Sequence, residues 1–258
     1  MVCGEWIRAA RLKMPNPAKV AMVAALEREV SPLVKRWNKV EREYDGRRFK
    51  FFESGQVVVV CGGIGAEAAR RATEAVFALY QPKLMLSVGF AGALDRTLKV
   101  GDIFAPSRVV DARDGSRTEM ATGRGVLVSA AAVVGVEQKA KLAESYGAQA
   151  VDMEAAAVAR GAQARGVGFM AVKAISDESD FHMPAMDRFI DEKGQFKTGR
   201  FVIFSVLRPW IWPQVVQLGR NGARASRALC AALDRYIQEP EKSEVSGPEL
   251  HPITKVVN

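Results

Sequence analysis

Short apolar runs recur along the chain, at residues 20–25, 57–60, 84–88, 126–129 and 169–175. Runs of this length without polar alternation mark strands buried on both faces, as in a parallel sheet covered by helices. Helical patterning separates them: a stretch through Leu33, Val34 and Trp37, then residues 66–80, 137–146 and 155–165. Residues 49–52 and 57–60 read as a hairpin about Glu53-Ser54-Gly55-Gln56. Residues 103–110 form a further strand, and the polar, glycine-containing stretch 111–125 is a loop. Strands that alternate with helices predict a single α/β domain with a twisted, mostly parallel (mixed) central sheet flanked by helices.

The two ends fall outside that pattern. Residues 1–13 read as an unstructured extension before a domain spanning 14–237, and residues 238–258, with Pro240, Pro248 and Pro252, as a disordered tail. Residues 201–237 are mostly helical, broken at Arg208-Pro209 and Trp212-Pro213. With Trp210 and Trp212 among arginines, this segment either packs on the sheet or a subunit contact, or lies at a membrane interface.

Composition narrows the classes. The chain of 258 residues is 48% hydrophobic and carries no apolar run approaching the roughly 18 residues of a membrane span. Its first residues lack an apolar core followed by a small-residue cleavage site and make a poor secretory signal. Cys3, Cys61 and Cys230 show no metal-ligand spacing, and an odd number fits a reducing cytoplasm. The net charge of +8 gathers in residues 35–48 and 200–235. No stretch interleaves aromatics with basic residues for stacking, so solvated helix faces explain that charge and nucleic acid is not an expected partner.

The candidate chemistry lies at strand ends. Glu29 follows the first strand, Glu154 stands beside Asp152 where a strand turns into the 155–165 helix, and Asp177 follows the last strand. Ends of parallel strands share one edge of a sheet, so these carboxylates converge on one cleft. Gly63 and Gly65 sit at another strand-to-helix junction, where free N–H groups can face an anion or a water; a tight turn without a ligand is the alternative. The only histidines are His182 and His251, which leaves a serine triad without a base and excludes histidine-rich metal ligation. Carboxylate chemistry remains, of the kind that cleaves glycosidic bonds through an oxocarbenium-like transition state.

Six motifs carry a resemblance: Ala24-Ala25-Leu26-Glu27-Arg28-Glu29-Val30, Gly63-Ile64-Gly65, Gly89-Phe90-Ala91-Gly92, Leu98-Lys99-Val100-Gly101-Asp102-Ile103, Val151-Asp152-Met153-Glu154-Ala155 and Ala174-Ile175-Ser176-Asp177. In this order, over residues 19–180, they resemble the nucleoside phosphorylase superfamily, and within it the methylthioadenosine/S-adenosylhomocysteine nucleosidases. Leu207-Arg208-Pro209 and the tryptophans around it are similar to the tail of hopanoid-associated members that act on adenosylhopane. The resemblance implies cleavage of the N-glycosidic bond of a purine nucleoside, with adenine as the base, by a homodimer or higher homo-oligomer. No cofactor or metal is implied, phosphate being a co-substrate only for a phosphorylase.

The resemblance also implies roles. Asp177, oriented by Ser176, protonates purine N7, which requires a carboxyl kept neutral by its surroundings. Glu154 accepts from the ribose hydroxyls, Met153 packs on the sugar, and Glu29 takes a proton from the attacking water. A glutamate after the first strand, and no arginine directly before Gly89, favour hydrolysis over phosphorolysis. Three features depart from the nucleosidases. Phe90 replaces a serine in the motif that continues through Ala91 and Gly92, Val133 stands where an aromatic stacks on adenine, and the 111–125 stretch is short. These changes suit a bulky apolar 5′ substituent; they also suit a protein that binds a nucleoside without cleaving it.

Overall fold

The computed structural model describes residues 19–182 and 212–238. Three runs expected to be buried strands form the centre of the sheet: β1 (Val20–Ala24), β5 (Leu84–Ala93) and β11 (Gly168–Asp177). Their side chains alternate between two apolar layers, which is why the runs show no polar alternation. Ala21 and Val23 face a cluster with Ala72 and Val76 of helix α2 (Ala66–Tyr80) and Val158 of α4 (Ala155–Gln163). Met22 and Ala24 face the other layer, with Val30 and Leu33 of α1 (Glu27–Val34) and Leu229 and Leu233 of α5 (Trp212–Gln238). Both faces are therefore covered, as parallel strands require.

The described sheet has 11 strands and is mixed. Parallel pairing joins β4 (Val57–Cys61) to β1, β1 to β5 and β5 to β11. A second parallel group runs β10 (Ala150–Asp152), β9 (Val126–Ser129), β7 (Arg108–Asp111). The far end of β5 runs past its pairing with β1, which stops at Ser87, and pairs antiparallel with β10, Gly92 opposite Val151. That branch brings the carboxyl ends of β1, β5, β10 and β11 around one opening, next to α3 (Val136–Tyr146).

Four elements differ from the sequence pattern. Residues 38–44 form strand β2 (Asn38–Tyr44), paired antiparallel with β3 (Arg47–Ser54), and α1 ends before Trp37. The expected strand over 103–110 divides into β6 (Ile103–Phe104) and β7, with Ala105-Pro106 between them; proline offers no N–H to a ladder. The expected loop 111–125 contains β8 (Arg117–Glu119), antiparallel to β7. The helix expected over 201–237 is observed from Trp212 and runs through Gln238, while residues 1–13, 201–211 and 239–258 lie outside the described residues.

Candidate functional site

A cavity of about 830 Å³ opens where these strand ends meet. Glu29, Phe90, Ala91, Gly92, Val133, Met153, Glu154, Ser176 and Asp177 all line it, so the sequence-derived constellation is brought together from four strand ends and one loop. Gly63 and Gly65 are not on the wall. Their amides are not free as expected: Gly63 N–H donates to the Ala25 carbonyl at 2.9 Å, and Gly65 N–H donates to Glu154 Oε1 at 2.8 Å. The glycine junction thus serves the site indirectly, by holding a carboxylate.

Glu29 enters on the first turn of α1, where it accepts from the Leu26 N–H at 3.3 Å. Helix α5 fixes the backbone beneath it, since Ser226 Oγ donates to the Arg28 carbonyl at 3.0 Å and Cys230 Sγ to that of Glu29 at 3.6 Å. Gly89 allows the close approach: its φ is +143°, and a Cβ there would stand 2.8 Å from Glu29 Oε2. Burial raises the pKa of Glu29, against the opposing pull of the Leu26 amide and of Lys173. A buried carboxylate with few charge partners is suited to take a proton.

Glu154 stands at the head of α4. Burial, then repulsion from Asp152, pushes its pKa up to about 7, with Lys173 and the Gly65 amide opposing. Asp152 caps the helix, its Oδ2 accepting from the Ala155 N–H at 2.9 Å. It also does more. Asp152 Oδ1 accepts from Ser129 Oγ at 2.6 Å, and Oδ2 pairs with Lys173 at 2.8 Å. Lys173, 1% exposed on β11, also donates to Ser87 Oγ at 3.0 Å. Burial disfavours its ammonium, but Asp152, Glu154 and Glu29 outweigh that and raise its pKa.

Asp177 is delivered by a register shift in β11 between Ile175 and Asp177, which sets it opposite Gly92. Ser176 Oγ donates to its Oδ1 at 2.7 Å, as the orienting role requires. Its Oδ2 meets Lys139 Nζ at 2.5 Å, and Lys139 also donates to the Glu178 carbonyl at 2.7 Å. Space matters here: a Cβ on Gly92 would come within 2.9 Å of Asp177 Oδ2 and 3.3 Å of Lys139 Cε.

Sequence reasoning missed both lysines and the α5 wall. A lysine inside the apolar run 169–175 was a signal for Lys173, because such a charge is buried only when paired. Lys139 had none, lying in a polar helix beside Lys141. The α5 wall, with Val215, Leu218, Gly219 and Gly222, makes the cavity apolar opposite the carboxylates. His182 sits exposed in the loop after β11, and no group of three or more metal-ligating side chains occurs among the described residues.

Comparison with known proteins agrees with this architecture. A methylthioadenosine/S-adenosylhomocysteine nucleosidase of Staphylococcus aureus is 26% identical over 197 residues, covering 61% of this chain and 86% of that protein. The fold is similar to a solved futalosine hydrolase of Helicobacter pylori (19% identity, 84% of this chain and 98% of that one, TM-score 0.61). It is also similar to a methylthioadenosine/S-adenosylhomocysteine nucleosidase of Neisseria meningitidis solved with methylthio-immucillin-A (18%, 85% and 98%, TM-score 0.64). The phosphorylase superfamily model matches residues 19–126 and 113–198, and the chain belongs to that family.

Proposed function

We propose that this protein hydrolyses the N-glycosidic bond of an adenine nucleoside carrying a bulky apolar 5′ substituent, and releases the free base. The observation that carries the reading is the convergence of Glu29, Glu154 and Asp177, from three separate strand ends, on one cavity. Glu154 accepts from the sugar hydroxyls and favours the cation that develops at the anomeric carbon. Met153 lines the sugar side, and Glu29 takes the proton of the attacking water. Asp177, oriented by Ser176, faces N7 of the departing base.

Hydrolysis is favoured over phosphorolysis because the Gly63 and Gly65 amides are already committed, which leaves that junction without donors for phosphate. The apolar 5′ group is supported by Phe90 and by the α5 residues that close the opposite wall. Trp212 and Val216, each 51% exposed at the start of α5, belong to the segment for which a membrane interface is the alternative to packing on the sheet or at a subunit contact, and a lipid-borne substituent would favour that alternative. Family likeness further supports a homodimer.

The test is release of adenine from adenosine, methylthioadenosine, S-adenosylhomocysteine and a lipid-linked adenosine, each with and without phosphate. Phosphate-independent release of free sugar, fastest with the apolar substituents, is expected. Turnover that strictly needs phosphate overturns hydrolysis. Binding without release from any of the four makes the protein a nucleoside-binding one.

A further inference from the structure

The helix α3 buries a single residue fully, and that residue is a lysine. Lys139 is 2% exposed, lines the cavity, and reaches from α3 to the carboxylate that the proposed reaction uses at the base. A buried ammonium is costly to desolvate, and an apolar side chain would dock the helix more cheaply. Two of its three N–H groups are spent on Asp177 and the Glu178 carbonyl, leaving one for the cavity.

Resting on the nucleosidase reading, we propose that Lys139 is the proton-supplying partner of Asp177, so that the leaving base is protonated by a lysine–aspartate pair and not by an isolated carboxylic acid. At this separation a proton can pass between the two groups along their hydrogen bond. As the C1′–N9 bond breaks, its electron pair moves into the purine ring. Lys139 passes a proton to the Asp177 carboxylate, becoming a neutral amine, and Asp177 passes a proton on to N7 and returns to a carboxylate. The attacking water gives its proton to Glu29; after the base leaves, Glu29 releases that proton to solvent and Lys139 regains one from it. Atoms and charge balance with water as the only co-reactant.

The neighbouring charges are accounted for. Arg28 and Glu29 face the cavity from the β1–α1 end, Asp152 and Glu154 from β10–α4, and Arg227 from α5. The Glu178 side chain turns outward to Lys99 at 2.9 Å, and Lys173 is held by Asp152. Within hydrogen-bonding reach of the Asp177 carboxylate, Lys139 is the cation the structure provides.

Lys139 acts through Asp177 and is therefore a positioning residue, so the test is a pH profile with substrates of two kinds. Lys139→Met and Lys139→Arg are compared with wild type on the best nucleoside and on 4-nitrophenyl riboside, whose leaving group departs without protonation. On the nucleoside, the rate of Lys139→Met is expected to fall with rising pH about one unit or more earlier than wild type, since Asp177 must then be the acid alone. Lys139→Arg keeps the charge but does not release a proton, and is expected to lose at least about tenfold at every pH. On the nitrophenyl riboside both losses shrink to about twofold, because the chemistry no longer needs an acid. Equal losses on both substrates, or an unmoved profile in Lys139→Met, overturn the proposal. If wild type releases base from no nucleoside, the nucleosidase reading itself fails, and that outcome is distinct from a working wild type whose variants share its profile.

Discussion

Two lysine–aspartate pairs stand at the two ends of the site, and they are built differently. Lys173–Asp152 lies within the sheet, where Lys173 also bonds Ser87 and Asp152 also bonds Ser129 and the Ala155 amide. Lys139–Asp177 bridges a helix and a strand beside an open cavity, with one lysine N–H uncommitted. In the first pair Asp152 accepts from three protein donors, Lys173, Ser129 and the Ala155 amide, which suits a fixed charge that shapes its surroundings. The second is close to the reacting space, which suits proton movement. A buried ion pair alone says little about purpose; its remaining bonds do.

Asp177→Asn is expected to lower base release by about 10²–10⁴-fold, the range of a lost general acid. Lys139 can still donate to the new amide oxygen but loses its counter-charge, so unfolding midpoints in urea should fall too, by less than the lost activity corresponds to. A stability loss that matched the activity loss would make the two pairs alike and break the comparison. Lys173→Met should instead strike the fold, by about 3–5 kcal/mol, because Asp152 is left charged and buried. Denaturant unfolding measures it, and a near-neutral result would show that Asp152 takes up a proton when alone.

Glu154→Gln sharpens the sugar-end account through pH. The folded pKa of Glu154 is raised from 4.5 to about 7, so between those values the native state holds a proton that the unfolded chain has lost. Wild type therefore loses stability as pH rises across that window, by on the order of 3 kcal/mol from this group. The glutamine variant lacks this loss, and its advantage over wild type should grow from pH 4.5 to 7 in paired unfolding curves. Ser129→Ala is the smallest change, about 1 kcal/mol, since it removes a hydroxyl that donates to Asp152 and accepts from the Ala156 N–H at 3.0 Å. An effect on base release larger than on stability would place Ser129 in the chemistry.

The carboxylate geometry was legible in the sequence because it depends on strand ends, and buried parallel strands announce themselves as apolar runs. What escaped was held by contacts that leave no periodic trace. β2 reads Asn-Lys-Val-Glu-Arg-Glu-Tyr, an edge strand half in solvent with none of its residues fully buried, so its alternation is charged on charged. β8 is three residues inside a polar stretch, too short for any pattern. The amides of Gly63 and Gly65 were visible as glycines, but their partners lie 38 residues upstream and 89 residues downstream in the chain. Phe90 was singled out as a misfit serine replacement; its neighbour on α5, Gly222, becomes evident only once that helix crosses the opening.

The sparse burial of α3 has a kinetic consequence. α4 sinks six apolar residues into the core, among them Ala155, Val158 and Ala162, whereas α3 adds to its lysine only the half-buried Leu142, Ala143 and Tyr146. Segments with little buried apolar area open locally at a fraction of the global unfolding free energy. Backbone amides of α3 should therefore trade hydrogen for deuterium well before those of α4. The wall that α3 gives the cavity is thus held by one buried ion pair more than by apolar contact.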